Sequence, residues 1–318
     1  MTNDDAISKR AQRFRIILAL LVSMPPLAAP SVKAGRPTPP SGYKVVRVHY
    51  SPLNKMIMSA RINGQHANLL VDTGSNQTIL DAAAAASFGI RPSQHGPLYI
   101  QFTQINGQNL PVGFAQTITA GNMSFSSVFV TLRNSSRSDR ANADVDGVLG
   151  LDILARYKAV INCRTKLIFF KVDRGRRTQL AAVAKSEKFT RVPLRHEENG
   201  ALTAPCSIRG QPARLLVDTG SFVTTFTEPV LKSLGVGLQP THVSAHFPVG
   251  RTKKVSAAQI NDFTIGDFKV PAGQFGATAL PNFPLRQGSS RMFGILGMDT
   301  LYKCHAIIDL DSMNLFLK

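Results

Sequence analysis

Tryptophan is absent from this chain of 318 residues, and acidic residues are scarce. Asp and Glu number 19 against 37 Lys and Arg, which gives a formal net charge of +18 at pH 7. The basic residues are scattered and form no recognised nucleic-acid motif, so we predict no nucleic-acid partner. The charge indicates either general solubility or attraction to an anionic surface, such as an envelope polymer or an acidic lipid.

Cysteine is also rare, with Cys163, Cys206 and Cys304 as the whole set. Three cysteines allow at most one disulfide and leave one thiol over. An exported compartment would permit pairing, and three buried free thiols are the alternative. None of them lies in a motif that indicates a nucleophile. His242 and His246 have no third ligand nearby, so we predict no metal site and no cofactor.

The N-terminal apolar run, Ile16–Val22, is too short to span a bilayer. Basic residues from Lys9 to Arg15 precede it, and small residues near Ala28 and Ala34 follow it. This order predicts a signal peptide over residues 1–34, with an uncleaved membrane anchor as the alternative. Residues 35–42 are then a predicted extended linker. We therefore expect an exported protein, either periplasmic or secreted.

The most informative feature is an internal repeat. The string LLVDTGS occurs at Leu69–Ser75 and again at Leu215–Ser221. Around it, Ile62–Leu80 aligns without gaps on Ile208–Phe226, with 12 of 19 positions identical at an offset of 146. A downstream block repeats too, since residues 146–171 match residues 293–318 at an offset of 147. A period of this length is the size of a small domain.

We therefore predict a gene duplication into an N-terminal lobe over residues 43–172 and a C-terminal lobe over residues 189–318. A basic, exposed linker over residues 173–188 joins them. Short β-branched runs between Gly, Pro and Asn predict mostly β structure. The predicted elements of the two lobes correspond in pairs: strands Tyr43–Tyr50 and Phe189–His196, Met56–Ile62 and Ala204–Ile208, Ala67–Val71 and Ala213–Val217, then helices Asp81–Ser87 and Glu228–Leu234.

Each copy of the repeat delivers one aspartate, Asp72 or Asp218, at the end of an apolar strand. The pattern of two hydrophobic residues, Asp-Thr-Gly-Ser and then a hydrophobic-hydrophobic-Gly turn (Gly150, Gly297) resembles the aspartic peptidases. In detail it resembles the bacterial retropepsin-like group, with two copies fused in one chain, over nearly all of residues 43–318. The resemblance implies an all-β fold with short helices: a bilobal pepsin/retropepsin-like acid protease with internal pseudo-twofold symmetry. It also implies a monomer, because fusion keeps the two lobes together.

Paired carboxyl groups explain how such a site would work. Two carboxylates about 3 Å apart cannot both ionise at modest cost, so they share one proton. One is then a base for a water held between them, and the other is an acid that polarises the scissile carbonyl. We expect an aspartic endopeptidase that cuts extended protein or peptide segments with apolar residues at the scissile bond. The alternative is a non-catalytic scaffold that binds a peptide or an envelope polymer.

The resemblance also assigns supporting roles. Thr73 and Thr219 should hydrogen-bond across the lobe interface. Ser75 and Ser221 should donate to the carboxylates. Gly150 and Gly297 should let a strand pass beneath the catalytic loop, or simply turn the chain ahead of a helix. The tight turn of each catalytic loop needs a residue without a side chain, and the two glycines concerned are Gly74 and Gly220.

A hairpin flap should cover the cleft in each lobe by analogy with the family. The candidates are Tyr99–Gly107, with Tyr99 and Phe102, in the first lobe and Phe247–Gly250, with Phe247, in the second. Ordinary surface hairpins are the alternative for both segments.

Overall fold

A computed structural model describes residues 41–52, 54–93, 102–105, 108–134, 145–173, 175, 180–246, 252–280, 283, 286–287 and 290–318. The predicted signal peptide and most of the linker after it therefore lie outside the described residues. Residues Pro39–Lys318 form one compact unit. Across the described ranges, no helix is both long and apolar enough to cross a bilayer.

Strands dominate the described residues of the first half of the chain, and two short helices lie among them. The strands are β1 Tyr43–Arg47, β2 His49–Tyr50, β3 Met56–Ile62, β4 Gln65–Val71, β5 Ile79–Asp81, β6 Phe102–Ile105, β7 Gln108–Ala120, β8 Met123–Arg133, β9 Gly147–Leu149, β10 Val160–Asn162 and β11 Leu167–Lys171. The helices are α1 Ala82–Ser87 and α2 Leu151–Arg156.

The second half repeats this order after a connecting helix, α3 Leu180–Ser186. Its strands are β12 Thr190–Pro193, β13 Arg195–His196, β14 Leu202–Ile208, β15 Gln211–Val217, β16 Thr225–Thr227, β17 Leu238–His246, β18 Thr252–Ile260, β19 Phe263–Ile265, β20 Phe268–Lys269, β21 Gly273–Thr278, β22 Arg286–Gln287, β23 Ser290–Leu296, β24 Ile307–Asp309 and β25 Asn314–Leu317. The remaining helices are α4 Glu228–Ser233 and α5 Met298–Lys303.

Each half builds one large sheet, and a third sheet joins the halves. The first sheet has the order β2-β3-β4-β9-β5-β8-β7-β6, and the second follows β17-β18-β21-β16-β23-β15-β14-β19-β20. In both, the strand before the DTGS loop lies parallel to the strand before the hydrophobic-hydrophobic-Gly turn. The predicted fold class, all-β with short helices and two repeated lobes, is confirmed.

The joining sheet has six strands in the order β1-β11-β10-β24-β25-β12, three from each half. At its centre β10 pairs antiparallel with β24, and Ile161 faces Ile308. These two residues are equivalent in the repeat, because they are 147 positions apart. The pseudo-twofold axis therefore passes between them.

An ion cluster fixes the two halves beside this sheet. The Asp311 carboxylate, after β24, accepts contacts from the Lys171 Nζ at 2.5 Å and the Lys158 Nζ at 2.9 Å. The Tyr43 hydroxyl donates to the same carboxylate at 3.3 Å. Burial alone would raise the pKa of Asp311, but the hydrogen bonds and charges of Lys171 and Lys158 outweigh it and lower that pKa.

Aromatic packing fills both cores. Phe226, Phe263 and Phe275 contact one another edge to face in the second half, with ring centroids 5.3–5.7 Å apart. In the first half Phe125 packs on Phe170 in the same way, at 5.1 Å. Each such pair stabilises the fold by about 0.5–1.5 kcal/mol beyond the area that it buries.

Several predicted elements differ from those observed. The strand predicted over Tyr43–Tyr50 is two strands, because at Val48 the chain leaves the joining sheet and its N–H donates to the Lys166 carbonyl. Phe189–His196 divides at Leu194 for the same reason. The predicted linker over residues 173–188 contains α3, which buries Ala184. Helices α1 and α4 lie within one residue of their predicted bounds.

The three cysteines are free and buried, which decides between the two alternatives that the sequence left open. Burial raises the pKa of the Cys163 and Cys206 thiols to about 12, and that of Cys304 to about 11. These thiols stay protonated at neutral pH and belong to the core.

Candidate active site

The two DTGS loops meet where the halves of the molecule join. Each follows a buried strand, β4 or β15, and each begins with an aspartate whose N–H donates to the neighbouring parallel strand. The acceptor is the Leu149 carbonyl for Asp72, at 3.1 Å, and the Leu296 carbonyl for Asp218, at 3.0 Å. The equivalent hydrogen bonds between parallel strands therefore hold each aspartate at the carboxyl end of its strand.

Two buried threonines join the loops by four hydrogen bonds. The N–H of Thr73 donates to the Thr219 hydroxyl at 3.0 Å, and the N–H of Thr219 donates to the Thr73 hydroxyl at 3.1 Å. Each hydroxyl then donates across the interface at 2.7 Å, Thr73 to the Val217 carbonyl and Thr219 to the Val71 carbonyl. This is the crossed arrangement that the resemblance implies, and it fixes one loop against the other.

The carboxyl groups of Asp72 and Asp218 lie beside the same two glycines, Gly74 and Gly220, and each shifts the pKa of the other. Each also packs on the glycine of the opposite loop. A Cβ atom on Gly74 would lie 2.5 Å from the Asp218 Cγ, and one on Gly220 would lie 2.4 Å from the Asp72 Cγ. Both positions therefore require glycine, because any side chain would displace a carboxyl group.

Backbone N–H groups stabilise the ionised form of each carboxyl group. Gly74 donates to Asp72 Oδ1 at 2.7 Å, and Gly220 and Ser221 donate to Asp218 Oδ1 at 2.8 and 2.9 Å. Asp72 and Asp218 each keep some solvent exposure, so water can reach the pair.

The expectation that the serine hydroxyls donate to the carboxylates is wrong. The Ser75 hydroxyl donates to the Gln77 carbonyl at 2.8 Å, and the Ser221 hydroxyl donates to the Val223 carbonyl at 3.3 Å. A hydroxyl has one proton to donate, and the turn brings the carbonyl two residues ahead into reach. The serines therefore fix the loop, and backbone N–H groups contact the carboxylates.

The surroundings of Asp72 and Asp218 raise the pKa of both carboxyl groups, for partly different reasons. Burial, the Asp72 charge and the hydrogen bond to Asp72 together raise the pKa of Asp218 well above its ordinary value. Burial also raises the pKa of Asp72, but the hydrogen bond from Asp218 and the N–H groups of Gly74, Ser75 and Gly220 oppose that rise. The pair therefore shares one proton at intermediate pH, and its apparent pKa values belong to the pair as a whole.

Beneath each loop lies the hydrophobic-hydrophobic-Gly turn. A Cβ atom on Gly150 would lie 2.4 Å from the Gln77 carbonyl oxygen, and one on Gly297 would lie 2.6 Å from the Val223 carbonyl carbon. Both glycines are also the N-cap residues of helices, α2 and α5. The close passage of the chain and the turn ahead of a helix are thus both present.

Sequence reasoning missed two threonines that support these turns. The Thr78 hydroxyl donates to the Asp152 carboxylate at 2.8 Å and accepts from the Gly150 N–H at 3.3 Å. Thr224 does the same with Asp299 at 2.7 Å and with the Gly297 N–H at 3.0 Å. Thr78 and Thr224 are identical in the aligned repeat, and that identity is the signal that could have found them.

The flap candidates stay predictions. Tyr99 and Phe247 lie outside the described residues, and Phe102 belongs to β6, although its side chain is outside the described part. Within the described residues, no three His, Cys, Asp or Glu side chains are grouped so that they could hold a metal ion.

A sequence model of a protein family, described as aspartyl protease, matches the chain twice, over residues 58–153 and 204–300. The two matches cover about three fifths of the chain. Among solved structures, the chain is similar to a retropepsin-like aspartic protease from Rickettsia conorii, with 15% identity and a TM-score of 0.29. That likeness covers 41% of this chain and 90% of the other. No curated protein matches the chain.

Proposed function

Because the chain belongs to the aspartyl protease family, we propose that it is an aspartic endopeptidase in which Asp72 and Asp218 act as one acid–base pair. The observation that carries the proposal is the placement of the two carboxyl groups at the junction of two equivalent loops, each against the glycine of the opposite loop. One carboxyl group then has a proton to give while its neighbour accepts one at the same pH.

In the proposed reaction, the ionised Asp72 takes a proton from a water that lies between the carboxyl groups. The protonated Asp218 donates a hydrogen bond to the carbonyl oxygen of the substrate, so that the water attacks the carbonyl carbon. The tetrahedral intermediate then collapses: the C–N bond breaks, and Asp72 gives the proton that it took from the water to the leaving amine. The two carboxyl groups can exchange these roles, because their apparent pKa values belong to the pair.

The substrate that we propose is an extended segment of a protein or peptide, with apolar side chains next to the scissile bond. An extended chain exposes both of its backbone edges, so it can add to the strands beside the two catalytic loops. The order of residues 1–34 supports export as part of the same proposal, and fractionation of cells that express the full chain would test it.

Neutral substitutions test the catalytic roles. Asp72→Asn and Asp218→Asn should each lower the cleavage of an unfolded protein by at least about 1,000-fold, since neither variant can share a proton in the same way. Asp267→Asn is the matched control, because Asp267 is exposed on the turn between β19 and β20. Peptide products are read by mass spectrometry across a range of pH.

Two outcomes would count against the proposal. Activity within a few fold of the wild type in either active-site variant would exclude the paired mechanism. A wild-type protein that binds peptides but yields no cleavage product at any pH would favour the non-catalytic scaffold that the sequence left as the alternative.

A further inference from the structure

The two lobes differ at the position that follows Asn76 in the first catalytic loop. The first lobe has Gln77 there, and the second has Val223, 146 positions later. The backbones of the two residues do the same work, since each carbonyl accepts from the loop serine and each lies against a glycine of the turn beneath. Only their side chains differ.

The Gln77 amide bridges two strands of the first sheet. Its Nε2 donates to the Thr103 hydroxyl on β6 at 2.8 Å, and its Oε1 accepts from the Thr131 hydroxyl on β8 at 2.7 Å. Thr131 is buried, with 3% of its surface exposed, so its bond to Gln77 is shielded from water. The catalytic loop is thereby tied to β6 through a single side chain.

Strand β6 belongs to the hairpin that the sequence proposes as the cover of the cleft. It pairs with the start of β7, and Thr103 faces Leu110 in that pairing. Behind the bridge lies a cavity of about 270 Å³, whose lining includes Val112, Phe129 and Ile153 as well as the bridging residues. The amide links β6 to β8 on that side, whereas β7 is held by its own pairing with β8, which begins at Val112 and Thr131.

In the second lobe neither of the corresponding residues, Val223 and Gly276, has a polar side chain. Ile79 and Thr225 are equivalent in the repeat. Ile79 pairs with Thr131 and Thr225 pairs with Gly276, so Gly276 is the counterpart of Thr131 in the second lobe. A Cβ atom on Gly276 would lie 3.5 Å from the Val223 Cγ1, so the valine packs where the first lobe has two polar groups. Valine has no polar atom with which to hold a hairpin strand.

We infer that Gln77 is a positioning residue, which sets the height of the β6–β7 hairpin above the first catalytic loop. The inference rests on the proposed function. The hairpin of the first lobe is then already in position when a substrate binds, which lowers the entropy cost of ordering that hairpin on binding. The effect should appear mainly in KM, because Gln77 does not touch the reacting carboxyl groups.

Three substitutions at Gln77 test this role against Gln65→Leu, a control on an exposed residue at the start of β4. Gln77→Leu and Gln77→Val, the second copying the other lobe, should lower kcat/KM by about tenfold, mostly through KM. Gln77→Glu can still accept from both threonine hydroxyls, so it should restore KM. Its added charge should move the pH profile to higher pH, because a nearby negative charge favours the protonated pair.

A second readout does not depend on catalysis. Hydrogen exchange at the amides of residues 102–105 and 108–111 should be faster by about tenfold in Gln77→Leu than in the wild type, and unchanged in Gln65→Leu. Equal exchange in all three proteins, or a KM that Gln77→Leu leaves within twofold, would overturn the inference. An inactive wild type would refute the proposed function, while the exchange experiment would still decide whether Gln77 holds the hairpin.

Discussion

The threonine bridge between the catalytic loops gives the sharpest stability prediction. Thr73 is fully buried, and its hydroxyl accepts from the Thr219 N–H at 3.1 Å and donates to the Val217 carbonyl at 2.7 Å. Thr73→Val replaces this hydroxyl by a methyl group of similar size, so no cavity forms. Two buried polar groups of the other half then lose their partner.

Each buried group left without a partner costs about 1–3 kcal/mol. The two together give a loss of about 2–6 kcal/mol in the free energy of unfolding. A protein is commonly stable by only about 5–15 kcal/mol, so the change is a large share of the total. Urea unfolding measures it as a shift in the midpoint with little change in the slope.

Two controls separate the hydroxyl from the side chain as a whole. Thr73→Ser keeps both hydrogen bonds and removes one buried methyl group, so it should cost only about 1 kcal/mol. Thr165→Val makes the same change on an exposed residue and should stay within about 0.5 kcal/mol. If Thr73→Val destabilises the protein no more than Thr165→Val does, the bridge does not hold the halves together as described.

Three other predictions follow from the geometry. Cleavage needs the singly protonated pair, so kcat/KM should fall at low pH as the pair takes up its second proton and at high pH as it loses its last one. Because the pKa of Asp218 is raised, the high-pH limb should lie above the ordinary carboxyl value of about 4, and a limb at or below that value would contradict the assignment. Asp311→Asn should lower the free energy of unfolding by about 2–3 kcal/mol at pH 7, since it leaves a buried lysine without its counter-charge. Folding lowers the pKa of Asp311, so the stabilisation by its carboxylate is present above about pH 4 and is lost as the pH falls through the pKa of the folded protein. If Asp311→Asn is still less stable than the wild type by the same amount in acid, the ion cluster is not the source of the difference. Gly150→Ala should lower the free energy of unfolding by about 2–3 kcal/mol, measured by thermal unfolding, because its Cβ atom would lie 2.4 Å from backbone. Gly237→Ala is the control, since its Cβ atom would meet open space, and it should change stability by less than about 0.5 kcal/mol. Equal effects of the two substitutions would show that the turn at Gly150 accepts a side chain.

The elements that could be predicted from the sequence are those determined by residues close together in the chain. The apolar strand that leads into Asp72, the turn at Gly150 and the bounds of α4 each depend on residues close in the chain. The repeat then carried these elements to the second half. Strand pairing across the halves has no such local signal, so the joining sheet and the division of the first strand at Val48 were not predicted.

The same distinction applies within the candidate site. Asp72 and Asp218 occupy repeated positions, so comparison of the two copies identified them, and the resemblance to the aspartic peptidases assigned the bridging role to Thr73 and Thr219. The direction of a serine hydroxyl depends on which acceptor the folded turn brings within reach, and sequence identity does not record that choice. Gln77 was missed for the opposite reason, because it is a position at which the two copies differ.

The pairing of Ile161 with Ile308 at the centre of the joining sheet has an evolutionary consequence. Equivalent residues of two identical chains would face each other in this way in a twofold homodimer. The junction within this chain therefore preserves the contact surface of a dimer that one ancestral half could have formed with itself. A separated half would expose β10 or β24 as an unpaired edge, and such edges recruit further strands. Covalent fusion covers that edge permanently, which leaves each half free to change its own cleft wall without losing its partner.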